Sequence, residues 1–282
     1  ERTWQGLLDL CIKLKQPAPS TINEWRRRTD EMVRITGVAD PSQVTEDHAR
    51  KYRDYHLDTV ANTTLKTRIR YIRALLEVAL SEQWVTSNPF NCIKLRFIKG
   101  TSKKKEVVKL EGIDDKVKEG ALPPHHEALY WIVRYTGTHV SEAAGIQFKD
   151  LDLANGVIHI SPNDLRPLKN EYRQRDLPML DELKEALKGL DVSTHSPDAH
   201  VFPGLYNDKT QRWGYGLQWD RRLGITPKVC RDVVATTLRD ADVNERVLGS
   251  ILGHTPTNST GLYGSVSMDA KKKALSKLII SQ

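Results

Sequence analysis

The stretch 96–105, R-F-I-K-G-T-S-K-K-K, limits most what this chain can fold into. It holds five Lys or Arg residues with Gly and Ser and little that is apolar, so it reads as a linker rather than as part of a core. The 282 residues are then expected to form two bodies, 1–98 and 107–282, each burying its own apolar set across a basic connection at 99–106. Lys99, Lys103, Lys104 and Lys105 either cross a polyanion or stay solvated in a plain tether.

The first body reads as helices. Trp4, Leu7, Leu8, Cys11 and Ile12 recur at helical spacing until Pro17-Ala18-Pro19-Ser20 breaks the run. Ser20 or Thr21 is expected to cap the next helix, which carries Trp25 and the basic triple Arg26-Arg27-Arg28. Thr45-Glu46-Asp47 opens a third helix. Residues 63–80 are the clearest amphipathic segment, with Leu65, Ile69, Ile72 and Leu76 on one stripe. Lys66, Arg70 and Arg73 lie beside it with Arg68 nearby, a face that either meets phosphates or is simply solvated. Net charge is +7, and residues 1–100 hold 17 Lys and Arg against 12 Asp and Glu, so a polyanion partner is expected there.

In the second body, 125–135 and 140–146 read as helices around the turn Thr136-Gly137-Thr138. Residues 148–160 alternate in two runs separated by Asn155-Gly156, a hairpin signal. Lys169-Asn170-Glu171 is expected at a second hairpin tip, with a strand from 173 to 179 and a helix from 181 to 190. Trp213, Tyr215 and Trp219 either pack or line a groove. No run approaches the length of a membrane span, and no signal peptide is visible. The chain begins at Glu1 rather than Met, so further upstream residues are expected. Three widely spaced cysteines without a CxxC fit a reducing compartment and argue against zinc.

From 226 to 263 the residue types converge on phosphate chemistry. Pro227 suits the first position of a helix on which Lys228 and Arg231 lie three apart. A second helix, 245–252, ends at Gly253, suited to a left-handed C-cap, and His254 and Tyr263 follow. Each residue alone has an ordinary reading on a surface or in packing; the cation pair, imidazole and phenol together can surround one phosphate.

These segments resemble the tyrosine recombinases, the lambda-type phage integrases and Xer-like resolvases. The family reads His-x-x-Arg, then Leu-Gly-His, then a nucleophilic Tyr; here stand Lys228, Arg231, Leu252-Gly253-His254 and Tyr263. The segment 135–142 resembles the family's first-arginine segment with its acidic neighbour, Glu142, and 169–178 resembles its β-hairpin lysine segment. The resemblance implies a mainly α fold with a small antiparallel β-sheet, built as a two-domain C-shaped clamp of a helical core-binding domain and an α+β catalytic domain. It implies cleavage and rejoining of DNA through a 3′-phosphotyrosyl intermediate, with Tyr263 as nucleophile, Arg231 as phosphate clamp and Lys169 as general acid. His254 and Lys228 would sit against the phosphate, and Glu142 would support the site. No metal or other cofactor is implied. The implied partners are a double-stranded recombination site and a homo-tetramer on paired sites, with accessory DNA-bending proteins. The implied setting is a bacterial or phage-encoded cytoplasmic protein at the nucleoid. The tail, 268–282, would pack either on a neighbouring protomer or on its own domain.

The chain departs from the family at His139, where the first arginine is expected. Imidazole is shorter, largely neutral at pH 7, and cannot hold two oxygens. Three readings stay open: an engineered substitution that stalls a DNA complex, a natural variant of reduced activity, or compensation by Arg134 or Arg173. Two other functions remain open as well, a DNA-binding protein that does not cut and a type IB topoisomerase-like activity.

Overall fold

The computed structural model describes residues 2–95, 108–190, 194–255 and 265–280. Lys99, Lys103, Lys104, Lys105 and Tyr263 therefore lie outside the described residues. The chain divides into two compact units, residues 1–104 and 105–282.

The first unit is built from α1 (Trp4–Lys15), α2 (Pro19–Thr36), α3 (Glu46–Leu57) and α4 (Asn62–Ser81). Thr3 caps α1 through its side chain, and α1 ends at Gln16 in the left-handed region, φ 42°. α2 opens earlier than the sequence predicts: Pro19 takes the first helical position, where its missing N–H costs nothing. Thr45 caps α3 in a capping box completed by His48. The apolar stripe of α4 is sealed, with Leu65, Ile72, Leu75 and Leu76 wholly buried against α1, α2 and α3. Each such side chain contributes about 1.5–3 kcal/mol relative to remaining exposed.

Packing corrects part of the expected polyanion face. Arg28 is 2 % exposed and pairs with Glu31 at 2.7 Å and Glu24 at 3.6 Å, because the buried stripe of α2 runs through Trp25, Arg28 and Met32. Arg68 is half-buried and holds Glu31 at 3.1 Å and His56 at 3.1 Å. Arg73 donates to the carbonyls of Phe90 (2.8 Å) and Ile93 (3.3 Å), fixing the turn after α4. These three arginines hold the helices together. Among the described residues, Arg26, Arg27, Lys66 and Arg70 are the members of the set that face solvent.

In the second unit α5 (Glu111–Lys118), α6 (Pro124–Thr136) and α7 (Val140–Ala144) precede a three-stranded antiparallel sheet of β1 (Leu151–Asp152), β2 (Val157–Ile160) and β3 (Arg175–Pro178). β2 and β3 pair from Val157 opposite Pro178 to Ile160 opposite Arg175. α8 (Asp181–Leu187) follows, then a hairpin of β4 (Tyr206–Asn207) and β5 (Arg212–Trp213), then α9 (Trp219–Leu223). Trp213 and Trp219 pack into the core, whereas Tyr215 is exposed. α10 (Pro227–Asp240), α11 (Glu245–Leu252), α12 (Met268–Leu275) and α13 (Lys277–Ile280) complete the unit. The described part of the tail docks on its own unit: α12 packs on β3 and α11, and the buried Lys271 ammonium donates to Asp176 O at 2.7 Å. Among the described residues no helix is long and apolar enough to cross a membrane.

Candidate active site

Four segments of the second unit bring the expected residues together. The first is the turn between α6 and α7. Gly137 ends α6 with φ 64°, and a Cβ there would stand 2.8 Å from both Leu252 and Val234, so only glycine fits. His139 then caps α7, its backbone N–H donating to Glu142 Oε2 at 3.2 Å while its Nδ1 meets Ser141 Oγ at 2.8 Å. His139 thus meets Glu142 through its backbone N–H, and its imidazole stays partly open to solvent.

Glu142 is 5 % exposed and accepts from Arg173 Nη1 at 2.6 Å and Arg175 Nη2 at 2.9 Å. Burial alone would raise its pKa; Arg175 and Arg173 outweigh that, and it titrates below the usual carboxylate range. Arg175 also donates to Ile251 O at 2.6 Å and Arg173 O at 2.6 Å, tying β3 to the end of α11. Sequence reading missed Arg175. Its signal is the alternation of the strand, which puts Arg175 and Leu177 on one face, both buried.

Lys169 lies at an exposed bend of the connection between β2 and β3, with no ion pair among the described residues. Its neighbour Asn170 donates to Thr255 Oγ1 at 3.3 Å, which holds this bend beside the turn carrying His254.

Arg231 points inward from the first turns of α10. It donates to Gly137 O at 2.7 Å and Leu252 O at 2.7 Å, and its Nη2 meets His254 Nε2 at 3.0 Å. Burial lowers its pKa to about 10; Glu142 pulls it up, while Arg175 and Arg173 push it down. Burial and then Arg231 hold His254 below the ordinary histidine value, and burial, with Arg231 and Arg173 against Glu142, does the same to His139. Lys228 is not drawn into this cluster. It is exposed and pairs with Asp232 one turn along α10, at 2.5 Å and 2.7 Å. Arg134 is likewise elsewhere, 4 % exposed and paired with Asp114 at 3.1 Å. Among the described residues no group of three His, Cys, Asp or Glu side chains is placed to hold a metal ion.

The site thus gathers guanidinium groups and imidazoles from α6–α7, the β2–β3 connection, α10 and the end of α11, an arrangement suited to an anion. The chain belongs to the phage integrase family, which matches residues 103–269, and is thereby one of the tyrosine recombinases. It is 23 % identical to a tyrosine recombinase of Agathobacter rectalis over 95 % of this chain and 93 % of that protein. It is 24 % identical to the tyrosine recombinase XerC of Bacillus pumilus, over 95 % and 94 %. Its fold is that of the Tn1549 transposon integrase solved with transposon right-end DNA, at TM-score 0.71 and 18 % identity over 98 % of this chain and 99 % of that one. It also matches the lambda integrase tetramer bound to a Holliday junction, at TM-score 0.65 and 12 % identity, over 95 % and 81 %.

Proposed function

We propose that this protein is a site-specific DNA recombinase, the integrase of a mobile element, which cuts and rejoins DNA through a 3′-phosphotyrosyl intermediate. The observation that carries this reading is the position of Arg231, whose guanidinium links the carbonyls of Gly137 and Leu252 with the His254 imidazole. Three separated segments are thereby fixed around one cation, as a phosphate site requires. The phenolic oxygen of Tyr263 attacks phosphorus and gives its proton to solvent. The P–O5′ bond breaks, and Lys169 supplies a proton to the departing oxygen. Arg231 holds the non-bridging oxygens and His254 donates a hydrogen bond to them. Lys228, freed from Asp232, adds positive charge at the rim. Reversal by a new 5′-hydroxyl restores the backbone, because the phosphotyrosyl linkage conserves the bond energy.

In the same reading the helical unit ahead of the linker grips duplex DNA, and four copies assemble on paired sites in the bacterial cytoplasm. DNA held by the Tn1549 integrase and the lambda integrase tetramer on a junction support these partners by analogy. The test uses nicked duplexes with a randomised core, from which covalent protein–DNA species are recovered under denaturing conditions and sequenced. The expected result is an adduct lost on Tyr263→Phe. An adduct that survives that change refutes the nucleophile. One observation favours a second reading, binding without cleavage: a histidine stands at position 139. That reading predicts salt-sensitive DNA binding and no adduct even from His139→Arg.

A further inference from the structure

The place an arginine at position 139 would serve has another guanidinium beside it. Glu142 holds the backbone N–H of His139 with Oε2 and Arg173 Nη1 with Oε1, so one carboxylate joins the two residues. Arg173 also abuts the turn that Arg231 grips. A Cβ on Gly253 would lie 3.2 Å from Arg173 Cδ, while Arg231 bonds Leu252 O and His254 Nε2 on either side of that glycine.

Arg173 differs from its neighbour Arg175 in what remains unused. Arg175 is 4 % exposed and spends its donors on Glu142, Ile251 O and Arg173 O. Arg173 is 20 % exposed, gives only Nη1 to Glu142 among the described residues, and has a buried Nε without a partner. Glu142 carries one negative charge and faces two guanidinium groups, so a positive charge is left over. The charge of Arg173 also bears on His139, Arg231 and His254 together. Arg134, the other arginine near this part of the sequence, is committed to buried Asp114.

We propose that Arg173 supplies the second phosphate-gripping guanidinium that position 139 lacks, contacting a non-bridging oxygen of the scissile phosphate together with Arg231. This rests on the recombinase reading above. A guanidinium fits the task because it keeps its charge at every working pH and offers several N–H donors to phosphate oxygens.

The test is single-turnover adduct formation on the nicked duplex recovered by the selection described above, run with both the unaltered and the His139→Arg protein, with a phosphodiester or a neutral methylphosphonate at the scissile position. Arg173→Ala is expected to slow adduct formation on the phosphodiester on the order of 10²–10³-fold. Arg173→Lys, which keeps the charge and loses the fork, should fall between. Two changes should restore most of the loss: His139→Arg in the same chain, and the methylphosphonate, which removes the oxygen charge the guanidinium would neutralise. Arg173→Ala within about threefold of the unaltered protein overturns the proposal. A loss that neither His139→Arg nor the methylphosphonate relieves also overturns it, and leaves Arg173 as a positioning residue for Glu142. An unaltered protein without adduct beside an active His139→Arg protein refutes the compensation and keeps the recombinase. If neither protein forms an adduct, the recombinase reading itself fails.

Discussion

Arg231 Nη2 lies 3.0 Å from His254 Nε2. A guanidinium has no acceptor, so Nε2 is the acceptor and the imidazole is neutral with its proton on Nδ1. To donate from Nε2 to a phosphate, His254 has to gain a proton there. Burial and Arg231 hold its pKa below 6.5 in the free protein, and an arriving phosphodiester raises it. Binding is then coupled to proton uptake. Affinity for the recovered duplex should rise as pH falls from about 7.5 to about 6, by at most about tenfold per pH unit for one proton. Fluorescence titration across that range checks this, and His254→Gln should flatten the profile. An affinity that is level or falls toward acid in the unaltered protein refutes proton uptake at His254.

Gly253 is a backbone position that the site cannot exchange for a larger residue without strain. Its φ is 68°, and a Cβ would stand 2.8 Å from Arg175 Nη1 and 3.1 Å from Arg175 Cζ. Gly253→Ala meets a left-handed strain of about 1–3 kcal/mol and also displaces a buried cation that bonds Glu142 and Ile251 O. We expect a lowered unfolding midpoint in urea and loss of the adduct. Gly249→Ala, inside α11 and where a Cβ would meet only His254 at 4.0 Å, is the control and should leave the midpoint level or raise it slightly.

Local chemistry makes much of the fold and of this site legible in the amino-acid sequence itself. Pro227 at the first position of α10, Thr45 as a cap and Gly253 as a left-handed end are each dictated by one residue's covalent geometry. Arg28 misleads because a triple of arginines reads as surface, although Trp25, Arg28 and Met32 fall on one helical stripe and Glu24 and Glu31 flank it. Lys228 carries its own warning, an aspartate four residues on. Three other features depend on long-range packing. The β4–β5 hairpin and α9 are too short for periodicity to reveal, and the docking of α12 on β3 pairs groups 95 residues apart.

The exposed cations of the helical unit should report themselves through salt. Each phosphate contact contributes a slope of about 0.9 to the fall of log affinity with log salt. Arg27→Gln, Lys66→Gln and Arg70→Gln should each reduce that slope by about one, whatever the duplex sequence, if they meet the backbone. Arg28→Gln should leave the slope alone and weaken folding instead, since its guanidinium is 2 % exposed. A slope that drops for Arg28→Gln but not for Arg27→Gln reverses the assignment made from burial.

The network around Glu31 sets the acid stability of the same unit. Glu31 accepts from Tyr52 at 2.7 Å, Arg28 at 2.7 Å and Arg68 at 3.1 Å, with His56 Nε2 at 3.4 Å. Burial would raise its pKa, but Tyr52, Arg28, His56 and Arg68 together bring it below 4.5. A carboxylate with a depressed folded pKa contributes stability above its unfolded value and loses it as pH falls through the folded one. His56 acts in the same direction. Burial lowers its pKa below 6.5, against the pull of Glu31, so protonating it as pH drops below about 6.5 costs stability. The unit should therefore loosen in two steps on acidification, the imidazole first and the carboxylate below pH 4.5. Removing the charge leaves Arg28 buried with only the longer contact to Glu24, so Glu31→Gln should cost about 3 kcal/mol at neutral pH. Hydrogen–deuterium exchange of the α2 and α4 amides in the intact chain reads this directly, as roughly hundredfold faster exchange. Because the change removes the carboxylate's titration, the variant should also lose the lower acid step. Exchange as slow as in the unaltered protein would show that the arginines, not the glutamate, are what hold these helices in register.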